Sequence, residues 1–297
     1  MFIEEFAMQI IEAIKEKLNE DIELRVKQVK KDSGVIKTGI AVLSKGKQVT
    51  PCLYVNDVYA GYQRGDLSLQ EAAQIIYEAL IEGMEEAPEF DLEKFCDWDQ
   101  IKGSICARII NEERNKEKLE NMPHRMLLNL AVVYYVKVSE ADNEFGTIEI
   151  MDGHLKMWGK SEEELYSTAM TNMIMNEDVI FKNIREMIPE ELCDMPLMDD
   201  EPLLYVLANQ KQIYGASVVL NKQVLKMISE LVGKDFILLP SSVHEMLVVP
   251  QGKHEWEISA LSQMVHDANR MCVGPEDYLS DNVYKYVSDK EELELVG

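Results

Sequence analysis

Residues 127–138, "LLNLAVVYYVKV", limit what this chain can fold into more than any other stretch. The run is rich in β-branched and aromatic residues with almost no polar alternation, so a strand built from it has two faces to hide. An exposed edge is excluded. The pattern predicts a central strand, or two, inside a covered sheet, and such a sheet needs helices or further strands packed on it.

Helices are available. Ile3, Phe6, Ala7, Ile10, Ile14 and Leu18 recur at helical spacing over residues 2–18, with Glu4 and Glu5 early and Lys15 and Lys17 late. Ile22, Leu24 and Val26 then alternate with Glu23, Arg25 and Lys27, and "DSG" at 32–34 turns the chain into a second β-rich run over 35–43. A helix laid on a hairpin follows. "SLQE" at 68–71 is a capping box, behind which Leu69, Ala72, Ala73, Ile76, Leu80 and Met84 form a buried stripe to about Glu86. "SEEE" at 161–164 is a second one, starting a helix with Leu165, Ala169 and Met173 inward.

Asn221 is placed to cap a third helix, with Val224, Leu225, Ile228, Leu231 and Val232 inward and Gly233 at its end. A last helix over 256–271 carries Ile258, Leu261, Val265 and Ala268 on one face, with Gly274-Pro275 beyond it. Further strands are expected at "GTIEI" (146–150) paired with "HLKMW" (154–158), at "LLYVLAN" (203–209) paired with "GASVVL" (215–220), and at "FILL" (236–239) and "MLVV" (246–249). Residues 101–120 show a mixed pattern, while "EEAPEFD" (85–91) reads as a break and 188–202 as a loop. No regular βαβ period appears. The expectation is an α+β fold of antiparallel or mixed sheets with packed amphipathic helices, in two subdomains, 1–120 and 121–297.

At 297 residues and 46% hydrophobic, the chain can bury a large core. Its 54 acidic and 30 basic side chains give a formal charge of −24, which repels phosphate backbones and anionic lipid, so neither nucleic acid nor membrane is the expected partner. No run reaches the roughly 20 apolar residues that cross a bilayer, and "MFIEEFAMQI" has acids where a signal peptide needs bases. A cytoplasmic location is expected. Cysteines at 52, 96, 106, 193 and 272 form no CxxC pair and read as reduced thiols, mostly buried.

The densest polar motif is "LLPSSVHEMLVVP" (238–250), which sets Ser241, Ser242, His244 and Glu245 between two apolar runs. A hydrolase would use His244 as base with Ser241 or Ser242 as nucleophile. Against this, serine nucleophiles usually sit on a glycine-flanked elbow, and this loop holds no glycine and no visible oxyanion donor. The alternative is a strand connection whose serines bond to loop backbone, with ligand contact left open because ligands are usually held on loops. Tyr54, Asn56, Tyr59 and Tyr62, with Asp57, form a second candidate cluster, for stacking on a ligand or for packing on the core.

His244-Glu245, His254-Glu255 and His266-Asp267 fall within a short stretch, but their spacing matches no zinc motif, and no metal is expected. Glu140, Asp142 and Glu144 in "SEADNEFG" suggest calcium, yet an EF-hand register would put Phe145 and Met151 where glycine and glutamate are required, so a solvated hairpin turn is the better reading. No Walker loop, GxGxxG, kinase set or helix-turn-helix is present, and no cofactor is expected.

"PCLYVNDVYAGYQRGDLSLQEAAQIIYEAL", "NMPHRMLLNLAVVYYVKV", "HLKMWGKSEEELYSTAMTN", "LLYVLANQKQIYGASVVL", "ILLPSSVHEMLVVP" and "LSDNVYKY" follow one another in this order. Together they resemble an uncharacterised family of bacterial proteins, a domain of unknown function common in gut anaerobes, over nearly the whole chain. Val55 and Asn221 depart from that pattern, which carries leucine and tyrosine there. The resemblance implies no activity. The expected function is therefore a binding or regulatory module for a protein or small molecule, with a His244 hydrolase as one alternative and an acidic decoy for nucleic-acid-binding proteins as another.

Overall fold

A computed structural model describes residues 1–44, 50–85, 91–141, 144–187, 204–251 and 256–297, with backbone alone for Ser33 and for residues 139–141, 144 and 145. The fold is α+β, with three antiparallel sheets and packed helices. Two compact units are formed, one from Met1–Cys96 with Val138–Gly146, the other from Asp97–Lys137 with Thr147–Gly297. The expected division at 120 would cut the second unit between strands that share a sheet. Most of the connections expected at 85–91 and 188–202 lie outside the described residues.

In the first unit, α1 (Ile3–Ile14) buries Phe6, Ala7, Ile10 and Ile14. It covers the sheet β1 (Ile22–Lys30), β2 (Ile36–Ser44) and β3 (Cys52–Tyr54), paired in that order. The β1–β2 hairpin runs from Lys30 opposite Ile36 to Ile22 opposite Ser44. After α2 (Asn56–Arg64), α3 (Leu69–Glu85) begins at the expected capping box, where the Ser68 N–H donates to Glu71 Oε2 at 2.7 Å and the Glu71 N–H to Ser68 Oγ at 3.3 Å. Ile40 and Val42 of β2 close a core with Ala72, Ile76 and Leu80 of α3, and α4 (Leu92–Cys96) ends the segment.

The second unit starts with α5 (Trp98–Ile101), β4 (Ile105–Asn111), α6 (Lys116–Leu119), β5 (His124–Leu127), β6 (Leu130–Ala141) as far as Lys137, and β7 (Glu144–Glu149) from Thr147. β6 lies between β4 and β5, and its residues Leu130, Ala131, Val132, Val133, Tyr134, Tyr135 and Val136 are all buried, as the apolar run predicts for a central strand. Then come α7 (Asp152–Trp158) and α8 (Glu162–Asn176), the latter packed on β4 and capped by Ser161 at its expected box. Arg125 grips Glu162 through two hydrogen bonds of 2.9 and 2.7 Å, Tyr134 donates its hydroxyl to the same carboxylate, and β5, β6 and α8 are joined there.

A six-stranded sheet follows, built from β8 (Val179–Asn183), β9 (Tyr205–Asn209), β10 (Phe236–Pro240), β11 (Met246–Pro250), β12 (Tyr284–Val287) and β13 (Glu292–Leu295) in the order β13-β12-β10-β11-β9-β8. Ile237, Leu239 and Val249 face α10 (Ile258–Met271) through Leu261 and Val265. Phe236 and Leu238, on the other face by strand alternation, are equally buried. α9 (Lys222–Val232) is capped by Asn221, whose Oδ1 accepts from the Gln223 and Val224 N–H groups.

Several expectations are corrected. "HLKMW" is not a strand but most of α7, buried through Leu155 and Trp158 at a three-residue spacing and ended by left-handed Gly159. "GASVVL" is a 3₁₀ run, Gly215–Leu220, buried at every position, so it carries no period from which its type could be read. Leu231 is 67% exposed, and Ser229 takes an inward place on α9 instead. Ala268 is exposed on α10. Cys96 and Cys272 are exposed and Cys52 and Cys106 half-buried, so among the described residues the thiols are not mostly buried. Among the described residues, no helix is long and apolar enough to cross a membrane.

Candidate functional site

Three loops of the second unit converge at His244: 209–215 after β9, 241–245 between β10 and β11, and 272–279 after α10. The first is folded on itself by Asn209, which donates through Nδ2 to the Ile213 carbonyl at 2.9 Å and accepts the Ile213 N–H at 3.2 Å. This turn delivers Tyr214 in the left-handed region, φ 52°, where a bulky side chain is rarely found. Gly215 follows because a Cβ there would meet the His244 carbonyl and come within 2.8 Å of the Asn209 nitrogen. Ala216 N–H then donates to the Val243 carbonyl at 3.3 Å, and Val243 N–H to the Asp277 carbonyl at 2.8 Å.

The imidazole is the knot of this arrangement. His244 Nδ1 accepts the Tyr214 N–H at 3.2 Å, which fixes the proton of the neutral ring on Nε2, and Nε2 lies 3.2 Å from Asp277 Oδ1. The Tyr214 and His244 rings stack with centroids 6.0 Å apart and planes 13° apart. Arg108 of β4, only 5% exposed, sets its guanidinium 4.6 Å from the Tyr214 ring centroid and donates to Glu149 at 2.5 Å, a carboxylate shared with Lys118. Tyr135 meets Tyr214 edge-on at 5.4 Å.

Behind the aromatic row, Cys106 stands opposite Tyr135 across β4 and β6. Burial pushes up the Cys106 thiol, the Tyr135 hydroxyl and the Glu177 carboxyl, and pushes down the Lys211 ammonium, which Lys137 opposes further. The fold thus gathers ionisable groups around the buried Tyr135. A serine nucleophile is not among them. Ser241 Oγ donates to Glu245 Oε1 at 3.0 Å, Ser242 Oγ accepts the His244 backbone N–H at 3.0 Å, and among the described residues neither hydroxyl meets the imidazole. A base needs a nitrogen aimed at its nucleophile, and both ring nitrogens of His244 are engaged elsewhere.

Tyr54, Asn56, Tyr59 and Tyr62 lie in the first unit and divide between two tasks. Tyr59 and Tyr62 pack on Phe6, with centroids 5.3 and 5.0 Å away, and the Tyr59 hydroxyl donates to the Met1 carbonyl. Asn56 Oδ1 accepts the Thr38 N–H at 3.0 Å. Tyr54 receives cations, Lys31 at 4.5 Å and Lys37 at 5.4 Å from its centroid. His266 sits exposed beside Asp267, His254 and Glu255 lie outside the described residues, and no group of three His, Cys, Asp or Glu side chains converges among the described residues. Of the "SEADNEFG" acids, no side chain is described.

Sequence reasoning named His244 but missed Tyr214, Arg108 and Asp277. The one local signal was Tyr214-Gly215 between a strand and a buried apolar run, which resembles a tight hairpin until its tertiary contacts are known. No curated protein and no solved structure matches the chain. One family model, described only as a family of unknown function, matches residues 3–288, nearly the whole chain, as the order of its motifs led one to expect. The chain belongs to that family, DUF5688.

Proposed function

We propose that the chain is a cytoplasmic binding or regulatory module that presents the joined loops 209–215, 241–245 and 272–279 to a protein or small molecule. The reading rests on the use made of His244, whose two ring nitrogens hold Tyr214 and Asp277 in place instead of serving a nucleophile. Loops tied together in this way make a preorganised surface, and preorganisation lowers the ordering cost of binding. Tyr214 adds to the support. Its left-handed backbone is maintained at a cost of the order of 1–3 kcal/mol, strain of a kind that concentrates at ligand clamps and switches. Its half-exposed ring, next to a guanidinium, is the type of group on which binding surfaces concentrate affinity.

Two experiments separate this reading from the hydrolase. A fluorophosphonate probe is expected to leave the wild-type protein unlabelled, and labelling that disappears in Ser241→Ala or Ser242→Ala would overturn the proposal. Capture from a lysate of the source cells, with wild type and His244→Ala side by side, is expected to lose a protein or small molecule in the variant. Identical recoveries would remove the loops from the contact surface.

A further inference from the structure

β1 is a nine-residue edge strand, paired to β2 on one side and, among the described residues, to no strand on the other. Among the described residues, the other edges are shorter or tied down. The outer edge of β4, for example, meets Ser217, whose hydroxyl accepts the Ile109 N–H at 3.0 Å, and Asn172, which donates to the Ile105 carbonyl at 2.8 Å. A long edge strand is a template for another strand.

The direction of its groups can be worked out. Lys31 N–H donates to the Val35 carbonyl at 2.7 Å, so in the antiparallel register the odd residues of β1 bond to β2. The even residues, Leu24 and Val26 among them, turn their N–H and C=O outward. Their side chains face the core yet stay half-exposed, whereas Ile40 and Val42 of β2 are fully buried, so the core is unfinished along this edge. The opposite face of β1 carries exposed Glu23, Arg25 and Lys27, charges of both signs, with Arg25 Nε donating to Glu23 Oε1 of the same strand at 2.7 Å.

We propose that two copies of the chain pair β1 with β1, antiparallel, with Leu24 on the two-fold axis, joining two three-stranded sheets into one. A symmetric pairing must be complementary to itself, and charge selects the register. Centred on Leu24, the pairing sets Glu23 opposite Arg25 and Asp21 opposite Lys27, each twice, in the non-hydrogen-bonded positions where side chains approach most closely. It also sets Ile22 opposite Val26 and Leu24 opposite Leu24, which closes the apolar seam on the core face. Centred on Arg25 the pairing opposes two guanidiniums, and centred on Val26 it opposes Arg25 to Lys27.

Light scattering of the full chain over a concentration series tests this. A mass rising from 34.0 kDa toward twice that value is expected, and 34.0 kDa at every concentration overturns the proposal. Glu23→Arg and Arg25→Glu, both at exposed positions, should each weaken the dimer by about tenfold or more. The double variant, with the charges exchanged, should recover it. A dimer indifferent to the single changes, or a double variant no tighter than they are, overturns the register and with it the proposal.

Discussion

At position 215 a side chain has nowhere to go. The backbone of the 241–245 loop and the Asn209 amide occupy the volume a Cβ would take, and both belong to hydrogen-bonded turns that cannot retreat singly. Gly215→Ala is expected to destabilise the fold by about 1–3 kcal/mol, the usual penalty for forcing volume into a packed site. Urea unfolding measures it, and a loss well under 0.5 kcal/mol, roughly the scatter of neutral surface changes, would show that the loops yield. The same position explains what could be read beforehand. His244 stands out in sequence because it lies among serines and an acid, but its ring partners Tyr214 and Asp277 are 30 and 33 residues away. No local pattern joins residues at that separation.

Elements with local determinants were legible. Both capping boxes form as written, since the residues that satisfy a helix's first N–H groups lie within its first turn. α7 escaped notice because its seven residues hold two buried side chains, too few to set a period. Longer-range joints can still be probed by pH. Asp235, before β10, accepts the Ser288 N–H at 3.0 Å, and that bond holds its carboxylate down at about 2; partial burial opposes the shift and Lys285 at 2.9 Å assists it. Because the folded value lies below the ordinary one, the joint stabilises fully above about pH 4 and fades as pH falls toward 2. Asp235→Asn should cost under about 1 kcal/mol at pH 6, and the difference from wild type should vanish near pH 2. Urea midpoints across that range decide the matter, and a constant difference would refute it.

For the whole molecule the dominant quantity is a charge of −24, whose self-repulsion works against any compact state. Raising NaCl from about 0.01 M to 0.5 M shortens the screening length several-fold, so the unfolding temperature should rise by a few degrees. Calorimetry would refute this with an unchanged or lower value. By itself the sequence determined the α+β class, a central strand within 127–138, the helix caps and the membership of a family, because periodicity, capping and motif order are all written over neighbouring residues. Only the tertiary structure decided that the unit boundary falls at Cys96 and Asp97, with Val138–Gly146 returned to the first unit. It alone decided that "GASVVL" is a buried 3₁₀ run, and that His244 holds loops instead of facing a serine. Those outcomes depend on which distant backbone groups meet, and such meetings are selected by packing across the chain, which local sequence does not encode.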